Sequence, residues 1–442
     1  MSPLTRTKKT ILPTILFCFI TLTTAIPIDY SGRLNYVENN AKKLYSKKSQ
    51  VLAALDQGLL AYYSGDYAKS IHRLTSAEDK INYYFSKSVS QAIGSFIVND
   101  LVMDYAGEDF EDMYLNVFKS LAYYHLGMTD DAIVELNRFN NKSQHIMQKH
   151  QAELTQARQA ANNADKSDVK VQFHNSPLAQ YLALLYHRAD GNMDAAYSDA
   201  NFFHDAFVTQ SSLYHFAEPT KLTKDELNIP KGKARINALA FSNGCPYKTQ
   251  MFFPAIISNA FVAIPFMQSR TPKISHVQVK AKNLQTGKGV KTSLNQIDSI
   301  QHVALDTFQM HSAALYSKAI ARMIAKQVNA DLQNGIGSQM AKSDNSTVAA
   351  IGNILQFFSA VSEIEAWLTE TADLRCANYF PARADAGGLT VDPGNYDITL
   401  EFYRTKGGKL MYRKTFKNVS VQAGKLCLLD ATYLGNDVLS GN

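Results

Sequence analysis

A helix-turn-helix pattern that recurs between residues 50 and 210 constrains this chain more than any other feature of its sequence. Gly65, Gly127 and Gly191 each follow an apolar, tyrosine-containing stretch, and a small residue stands five positions after each of them. Glycine adopts the backbone conformation that ends a helix, and the small residue lets the next helix approach closely. The three copies are carried by Gly58, Tyr62, Gly65, Tyr67, Ser70, Leu74 and Ala77, by Tyr124, Gly127, Ala132, Leu136 and Phe139, and by Gly191, Ala196, Ala200 and Phe203.

The spacing of these copies indicates the class of repeat. The turn glycines are 62 and 64 residues apart, close to twice the period of about 34 residues of a tetratricopeptide unit. Each interval should therefore contain either an additional, degenerate helical pair or one long helix. We predict a tetratricopeptide-like α-solenoid over residues 40–228.

The second half of the chain changes its hydrophobic period. Apolar residues alternate with polar ones in several segments after Lys233, and Gly, Pro and Asn separate the segments. This pattern predicts half-buried strands, which we assign to a small antiparallel β-sandwich-like domain over 233–442. Helical spacing at 308–331 and 347–368 predicts a helical-hairpin insertion at about 308–368. Helices followed by strands give an α+β fold class.

The first 25 residues have the three parts of an export signal. Three basic residues precede the apolar run 11–22, and Thr23 and Ala25 supply the small residues of a cleavage site. The run is too short to span a bilayer, and the mature chain has no other uncharged apolar stretch of about 18 residues. We therefore predict that 1–25 is a signal peptide, that the mature chain has no transmembrane segment, and that it is periplasmic or secreted.

The formal charge limits the classes of partner. The chain of 442 residues carries a net charge of +6, and three of its basic residues belong to the predicted signal. The remaining charge of +3 is too small for a nucleic-acid footprint, which requires a basic stripe.

The cysteines leave two possibilities open. Cys18 is removed with the predicted signal, so Cys245, Cys376 and Cys427 remain. An odd number in an oxidising compartment is compatible with one disulfide and a free thiol, or with three buried thiols.

Several segments resemble a family of uncharacterised, exported bacterial proteins that have tetratricopeptide-like repeats and are often lipoproteins. The similarity covers most of the mature chain. The residues that carry it are Ser90, Gln91, Gly94, Ser95, Phe96, Asn99, Asp100, Tyr105, Gly107, Glu108, Asp109 and Phe110, then Val134, Glu135, Arg138 and Asn140, then SPLAQYLALLYHRADGNMDAAYSDA, then Gly244 and Pro246, and finally Ala372, Asp373, Arg375 and Pro381.

This resemblance implies residence in the cell envelope and a role in its assembly or in cell-wall upkeep. It implies no established catalytic mechanism. The chain departs from the family at two positions: the lipid-attachment cysteine is absent, which puts membrane tethering in doubt, and Cys376 stands where a tryptophan is expected after Arg375.

The densest group of carboxylates is better explained by helix initiation than by catalysis. Glu108, Asp109, Glu111 and Asp112 follow Gly107 in one stretch of sequence. Acid-base catalysis requires two carboxylates that are held apart across a substrate, whereas acidic residues in a first turn stabilise the positive end of a helix. The eleven histidines are dispersed, and neither an HExxH nor a CxxC motif is present. We predict no catalytic residues, no metal and no cofactor.

These observations favour a non-catalytic periplasmic adaptor that binds an envelope protein or peptide through the groove of its helical repeats. The alternative is a protein that binds or hydrolyses a cell-wall polymer such as peptidoglycan through the β-rich domain. The predicted binding residues of the groove are Tyr62, Asn99, Asp100, Tyr105, Tyr123, Tyr124 and Asn137.

Overall fold

A computed structural model describes residues 28–90, 103–160, 171–254, 261–309, 311–313, 315 and 372–440. The predicted signal peptide, Asn99, Asp100 and most of the predicted insertion at 308–368 lie outside these residues. Helices among the described residues are α1 (Tyr30–Asn39), α2 (Ala41–Leu44), α3 (Gln50–Ser64), α4 (Tyr67–Ser90), α5 (Asp109–His125), α6 (Thr129–Ala160), α7 (Pro177–Ala189), α8 (Met193–Thr209), α9 (Thr220–Leu227), α10 (300–309) and α11 (Asn436–Ser440).

Three antiparallel helical hairpins form the first half of the described chain: α3 with α4, α5 with α6, and α7 with α8. Gly65, Gly127 and Gly191 lie in the three turns and have φ angles of 86°, 77° and 79°. These left-handed values are the reason that glycine occupies the turns. The predicted helix-turn-helix units are therefore present. The sequence left two explanations for the long interval between the turns, an additional helical pair or one long helix. The described residues show long helices: α4 has 24 residues and α6 has 32.

The strands form two four-stranded sheets and a separate hairpin. The first sheet has the order β10-β1-β7-β6, the second has the order β5-β4-β8-β9, and β2 pairs with β3. The strands are β1 (Ala234–Gly244), β2 (Tyr247–Pro254), β3 (Phe261–Gln268), β4 (His276–Asn283), β5 (Gly289–Ser293), β6 (Asn295–Asp298), β7 (Pro381–Val391), β8 (Gly394–Tyr403), β9 (Leu410–Val421) and β10 (Cys427–Tyr433). The fold class is α+β.

The prediction of a purely antiparallel β domain is wrong in one respect. β10 runs parallel to β1, with Ile236 paired to Cys427 and Ser242 paired to Tyr433. The first sheet is therefore a mixed sheet, whereas the second is antiparallel throughout. Alternating hydrophobicity specifies which residues share a face of a strand but does not specify the direction of the neighbouring strand.

The layers are stacked as helices, mixed sheet and antiparallel sheet. Ile236 and Ala238 of β1 pack with Val279 of β4 and Leu400 of β8 between the two sheets. Phe241, on the other side of the same strand, packs with the helices. Every residue of β1 is consequently buried, and the prediction that this segment is a half-buried strand is wrong because both of its faces are covered.

The described cysteines are three buried free thiols: Cys245, Cys376 and Cys427. This is the second of the two possibilities that the sequence left open. Among the described residues, no helix combines the length and the apolar composition that crossing a membrane requires.

Asp298 connects the helices to the mixed sheet. It lies at the end of β6, is fully buried, and accepts hydrogen bonds from the Tyr114 hydroxyl at 2.9 Å and the Ser176 hydroxyl at 2.6 Å. Ser176 caps α7 and Tyr114 belongs to α5, so one carboxyl group holds two hairpins against a strand. Burial raises the pKa of Asp298 to about 6, although the hydroxyl donors lower it.

This pKa predicts a pH-dependent contribution to stability. The folded protein binds the Asp298 proton more tightly than the unfolded chain, whose carboxyl has a pKa of about 3.9. The stabilising contribution is therefore complete below that value and is lost as the pH rises through about 6. In Asp298→Asn we expect the decline in unfolding free energy between about pH 4 and pH 6 to be smaller than in the wild type, by up to about 1.4 kcal/mol per pH unit.

Urea unfolding at several pH values in this range measures the difference. The matched control is Asp392→Asn, since the Asp392 side chain is 76% exposed and Lys233 lowers its pKa, which places its titration below this pH window. Parallel pH profiles for the wild type and Asp298→Asn would contradict the assignment.

Candidate functional site

The predicted binding residues divide between the interior and the surface. Tyr62 and Tyr105 are each only 3% exposed. The Tyr62 ring packs against Phe118, and the Tyr105 hydroxyl donates a 2.7 Å hydrogen bond to Glu111. Tyr124 is half-buried, and its hydroxyl accepts a 3.0 Å hydrogen bond from the Leu428 amide of β10. These three tyrosines therefore contribute to the folded core and to the contact with the sheet.

These tyrosines are buried because the chain covers one face of its own hairpins. This face, which we call the inner face, is the side of α3, α5 and α7 that points towards the mixed sheet. Tyrosine hydroxyls contribute to this contact: Tyr63 of α3 donates to the carbonyl of Tyr379 at 2.8 Å, and Tyr114 of α5 donates to Asp298 at 2.9 Å. Tyr30 of the neighbouring α1 donates in the same way to the carbonyl of Thr432 at 3.0 Å. A partner in this conformation does not have access to the inner face. The expectation that Tyr62, Tyr105 and Tyr124 line a binding groove is thus corrected: Tyr62 and Tyr124 lie on the side that the sheet covers, and Tyr105 is enclosed by Glu111, Lys248 and Arg375.

A concave surface lies on the outer side of the hairpins, along α4, and is bordered by residues of α5 and α6. We call it the outer groove. It comprises three depressions of about 710, 360 and 360 Å³. Asp79 lines the first and third depressions, and Asn82 and Lys142 line the second and third, so the three are continuous.

Two predicted residues lie on the outer side of the hairpins. Tyr123 lines the largest depression together with Tyr83, which is 62% exposed. Asn137 is exposed on α6 but is not one of the residues that line the three depressions described above. Sequence reasoning missed Tyr83 because it lies beyond the repeat motif, at the end of a helix whose length the motif does not specify.

A buried ionic network forms the floor of the outer groove. Lys119 of α5 is 1% exposed, and its Nζ lies 2.6 Å from Glu78 of α4 and 3.0 Å from Glu135 of α6. The amide of Asn116 donates to the same two carboxylates at 3.0 and 2.6 Å. Lys142 closes the network with a 2.8 Å contact to Glu78. Three helices from two hairpins are thereby held at fixed positions.

The charges of this network are strongly coupled. Burial opposes the ionisation of Glu78, but Lys142 and Lys119 outweigh it and lower the pKa of Glu78 to about 2. Glu78 is therefore charged at every physiological pH. Arg138 also reaches Glu135 at 3.2 Å, but its side chain is 51% exposed and lies at the rim.

A second acidic group lies at the start of α5. Gly107 has a φ of 82° and is followed by Glu108, which immediately precedes the helix. Asp109 is the first residue of α5. The interpretation of this acidic stretch as a helix start is confirmed. Glu111 accepts a 3.0 Å hydrogen bond from the backbone amide of Glu108, which satisfies one of the free N–H groups of the helix end.

The carboxylates of Glu108 and Glu111 have opposite pKa shifts. Burial, reinforced by the charge of Glu108, raises the pKa of Glu111 to about 7. Burial also opposes the ionisation of Glu108, but Lys248 at 2.5 Å and His311 at 3.2 Å lower its pKa to about 2. Shifts in opposite directions are typical of acid-base pairs, yet here both carboxylates are used to fasten α5 to β2 and to Ala377.

In the described part of the chain, no three His, Cys, Asp or Glu residues are grouped so that they could hold a metal ion. Comparison with protein-family models, with curated proteins and with solved structures gives no match.

The ionic floor makes a testable energetic prediction. Replacing Lys119 by Met removes the buried cation between Glu78 and Glu135, and we expect a loss of about 3–5 kcal/mol in unfolding free energy. The matched control is Arg138→Met, which removes an exposed cation from the same carboxylates and should cost at most about 1 kcal/mol. Chemical denaturation of both variants measures the difference, and equal losses would show that the buried position of Lys119 is unimportant.

Proposed function

We propose that this protein is a non-catalytic adaptor that binds an envelope protein or peptide through the outer groove of its helical repeats. The observation that carries the proposal is the open outer groove, because it presents the exposed Tyr83 and the half-buried Tyr123 beside a rigid, charged floor. Stacked helical hairpins are a common framework for peptide recognition.

The chemistry of the outer groove suits an extended peptide or a helix. Tyr83 and Tyr123 provide aromatic surface at one end, and His72, Thr75 and Asp79 provide hydrogen-bonding groups beside them. Aromatic side chains contribute large contact area with few rotatable bonds, which is why they dominate binding energy at interfaces. The ionic floor keeps α4 and α6 at a constant separation, so the groove is formed before a partner arrives.

The cellular setting follows from the sequence. The predicted signal at 1–25 would place the mature chain in the periplasm or outside the cell. We further propose that the three hairpins belong to the tetratricopeptide-like class, on the basis of their turn glycines and of the small residues that follow them. A scaffold that acts in the assembly or upkeep of the cell envelope agrees with both proposals.

The aromatic residues of the groove provide the test. After crosslinking in the native envelope has identified a partner, its affinity is measured for the purified wild type and for Tyr83→Ala and Tyr123→Ala. We expect each substitution to weaken binding, with a combined loss of about 2 kcal/mol or more, since aromatic anchors contribute most of the energy of such contacts.

The matched control is Tyr197→Ala, which removes a 50% exposed tyrosine from α8, outside the residues that line the outer groove. Its affinity should equal that of the wild type. Unchanged affinity in the double variant Tyr83→Ala/Tyr123→Ala, or an equal loss in Tyr197→Ala, would exclude the outer groove as the binding site.

A further inference from the structure

The positive charge of this chain is concentrated in one sheet. The two hairpins of the antiparallel sheet, 276–293 and 394–421, together contain ten Lys and Arg residues but only two acidic residues, a net charge of +8. The whole chain has a net charge of +6, so all its other residues together carry −2. The basic residues are Lys280, Lys282, Lys288, Lys291, Arg404, Lys406, Lys409, Arg413, Lys414 and Lys417.

The pairing register places several of these residues on one surface. Val277, Val279 and Ala281 of β4 are buried between the two sheets, so the alternate residues of β4 point away from the core. Lys280 is paired with Lys291 of β5 on one side and with Thr399 of β8 on the other. The outward surface, which we call the basic sheet face, contains Lys280, Lys282, Lys291, Arg413 and Lys417.

The two acidic residues of this sheet are already paired. Glu401 is 2% exposed and lies 2.6 Å from Lys280 and 2.7 Å from Arg413, and Asp397 lies 2.7 Å from Lys417. Among the described residues, no carboxylate lies within 4 Å of the amino group of Lys282 or Lys291. Both lysines are exposed. The basic sheet face therefore keeps a positive charge that the protein itself does not neutralise.

Positive charge also extends to both ends of the sheet. Lys288 lies in the β4–β5 turn, and Lys406 and Lys409 lie in the β8–β9 turn. Because β4 and β8 are antiparallel neighbours, these two turns are at opposite ends. Beside Lys288, the side chains of Leu284 and Val290 are 45% and 42% exposed, which adds apolar groups to the basic ones.

We infer that the basic sheet face binds the surface of an anionic lipid bilayer, a role that goes beyond partner binding in the outer groove. A broad sheet surface with dispersed lysines and apolar groups at one end matches a layer of negatively charged headgroups. Nucleic acids fit this surface less well, since recognition of single strands uses aromatic side chains as stacking platforms, whereas the five residues that define the basic sheet face are four lysines and one arginine.

Vesicle co-sedimentation tests the inference with the full chain. We expect binding to vesicles of phosphatidylcholine mixed with phosphatidylglycerol, no binding to phosphatidylcholine alone, and release at about 1 M salt, where charges are screened. Each basic residue near an anionic surface strengthens binding about fivefold, so Lys282→Glu/Lys288→Glu/Lys291→Glu should weaken it at least about 100-fold.

The matched control is Lys42→Glu/Lys43→Glu/Lys47→Glu, which changes the net charge equally at exposed positions in and beside α2. It should bind vesicles nearly as well as the wild type. If the sheet variant loses its native circular dichroism, the corresponding triple Lys→Gln variant replaces it.

Three outcomes would overturn the inference: no preference of the wild type for phosphatidylglycerol, equal losses in the two triple variants, or binding to an oligonucleotide or an anionic polysaccharide without binding to vesicles. The last outcome would assign the basic sheet face to a polymer.

Discussion

The burial of strand β1 on both faces is the constraint on which the rest of this structure depends. Hydrophobic residues of β1 occupy the side towards the antiparallel sheet, but Arg235 and Asn237 occupy the side towards the helices and are also buried. Buried polar groups are tolerated only when they are paired.

Glu226 of α9 pairs with the buried polar side chains of this region. Its carboxylate lies 2.8 Å from Arg235 and also forms a short contact with Arg188 of α7. Arg188 in turn donates a 3.1 Å hydrogen bond to Asn237. The helices are thus attached to the sheet by specific polar pairs as well as by apolar packing, and such pairs fix orientation.

That attachment determines which surfaces of the hairpins are available. The inner face of α3, α5 and α7 is used within the molecule, where the hydroxyls of Tyr114 and Tyr63 donate hydrogen bonds to residues that follow 184 and 316 positions later in the chain. Among the described residues, α4 and α6 line most of the outer groove, and α5 adds Tyr123. The long helices α4 and α6 enlarge that groove, and the buried Lys119 fixes their separation. In this molecule, the surface that is open to a partner is therefore a consequence of how the β domain is docked.

Local patterns in the sequence predicted the parts of the fold that depend on local physics. The glycines at 65, 127 and 191 predicted three helical turns because each requires a left-handed backbone. Alternating hydrophobicity indicated five of the ten described strands, namely β1, β4, β8, β9 and β10. The parallel pairing of β10 with β1 and the contact of Glu108 with Lys248 were missed, since these partners lie far apart in sequence and no spacing rule connects them. The prediction that Tyr62 and Tyr124 line a groove failed for the same reason, because the local sequence does not distinguish a groove residue from a core residue that a distant segment covers.

The concentration of basic residues in one sheet was present in the sequence throughout, but a net charge averaged over the chain concealed it.

The order of the layers determines how far the outer helices lie from the antiparallel sheet. From the outer helices to the antiparallel sheet the chain stacks two layers of helix and two of sheet, and typical spacings of about 9–10 Å between layers give about 30 Å. If the sheet rests on a bilayer, the outer groove stands about four Debye lengths above the headgroups at physiological salt. The salt would screen the electrostatic interaction between the lipid charge and a ligand bound in the outer groove. The molecule would then act as a spacer whose two ends respond to their surroundings independently.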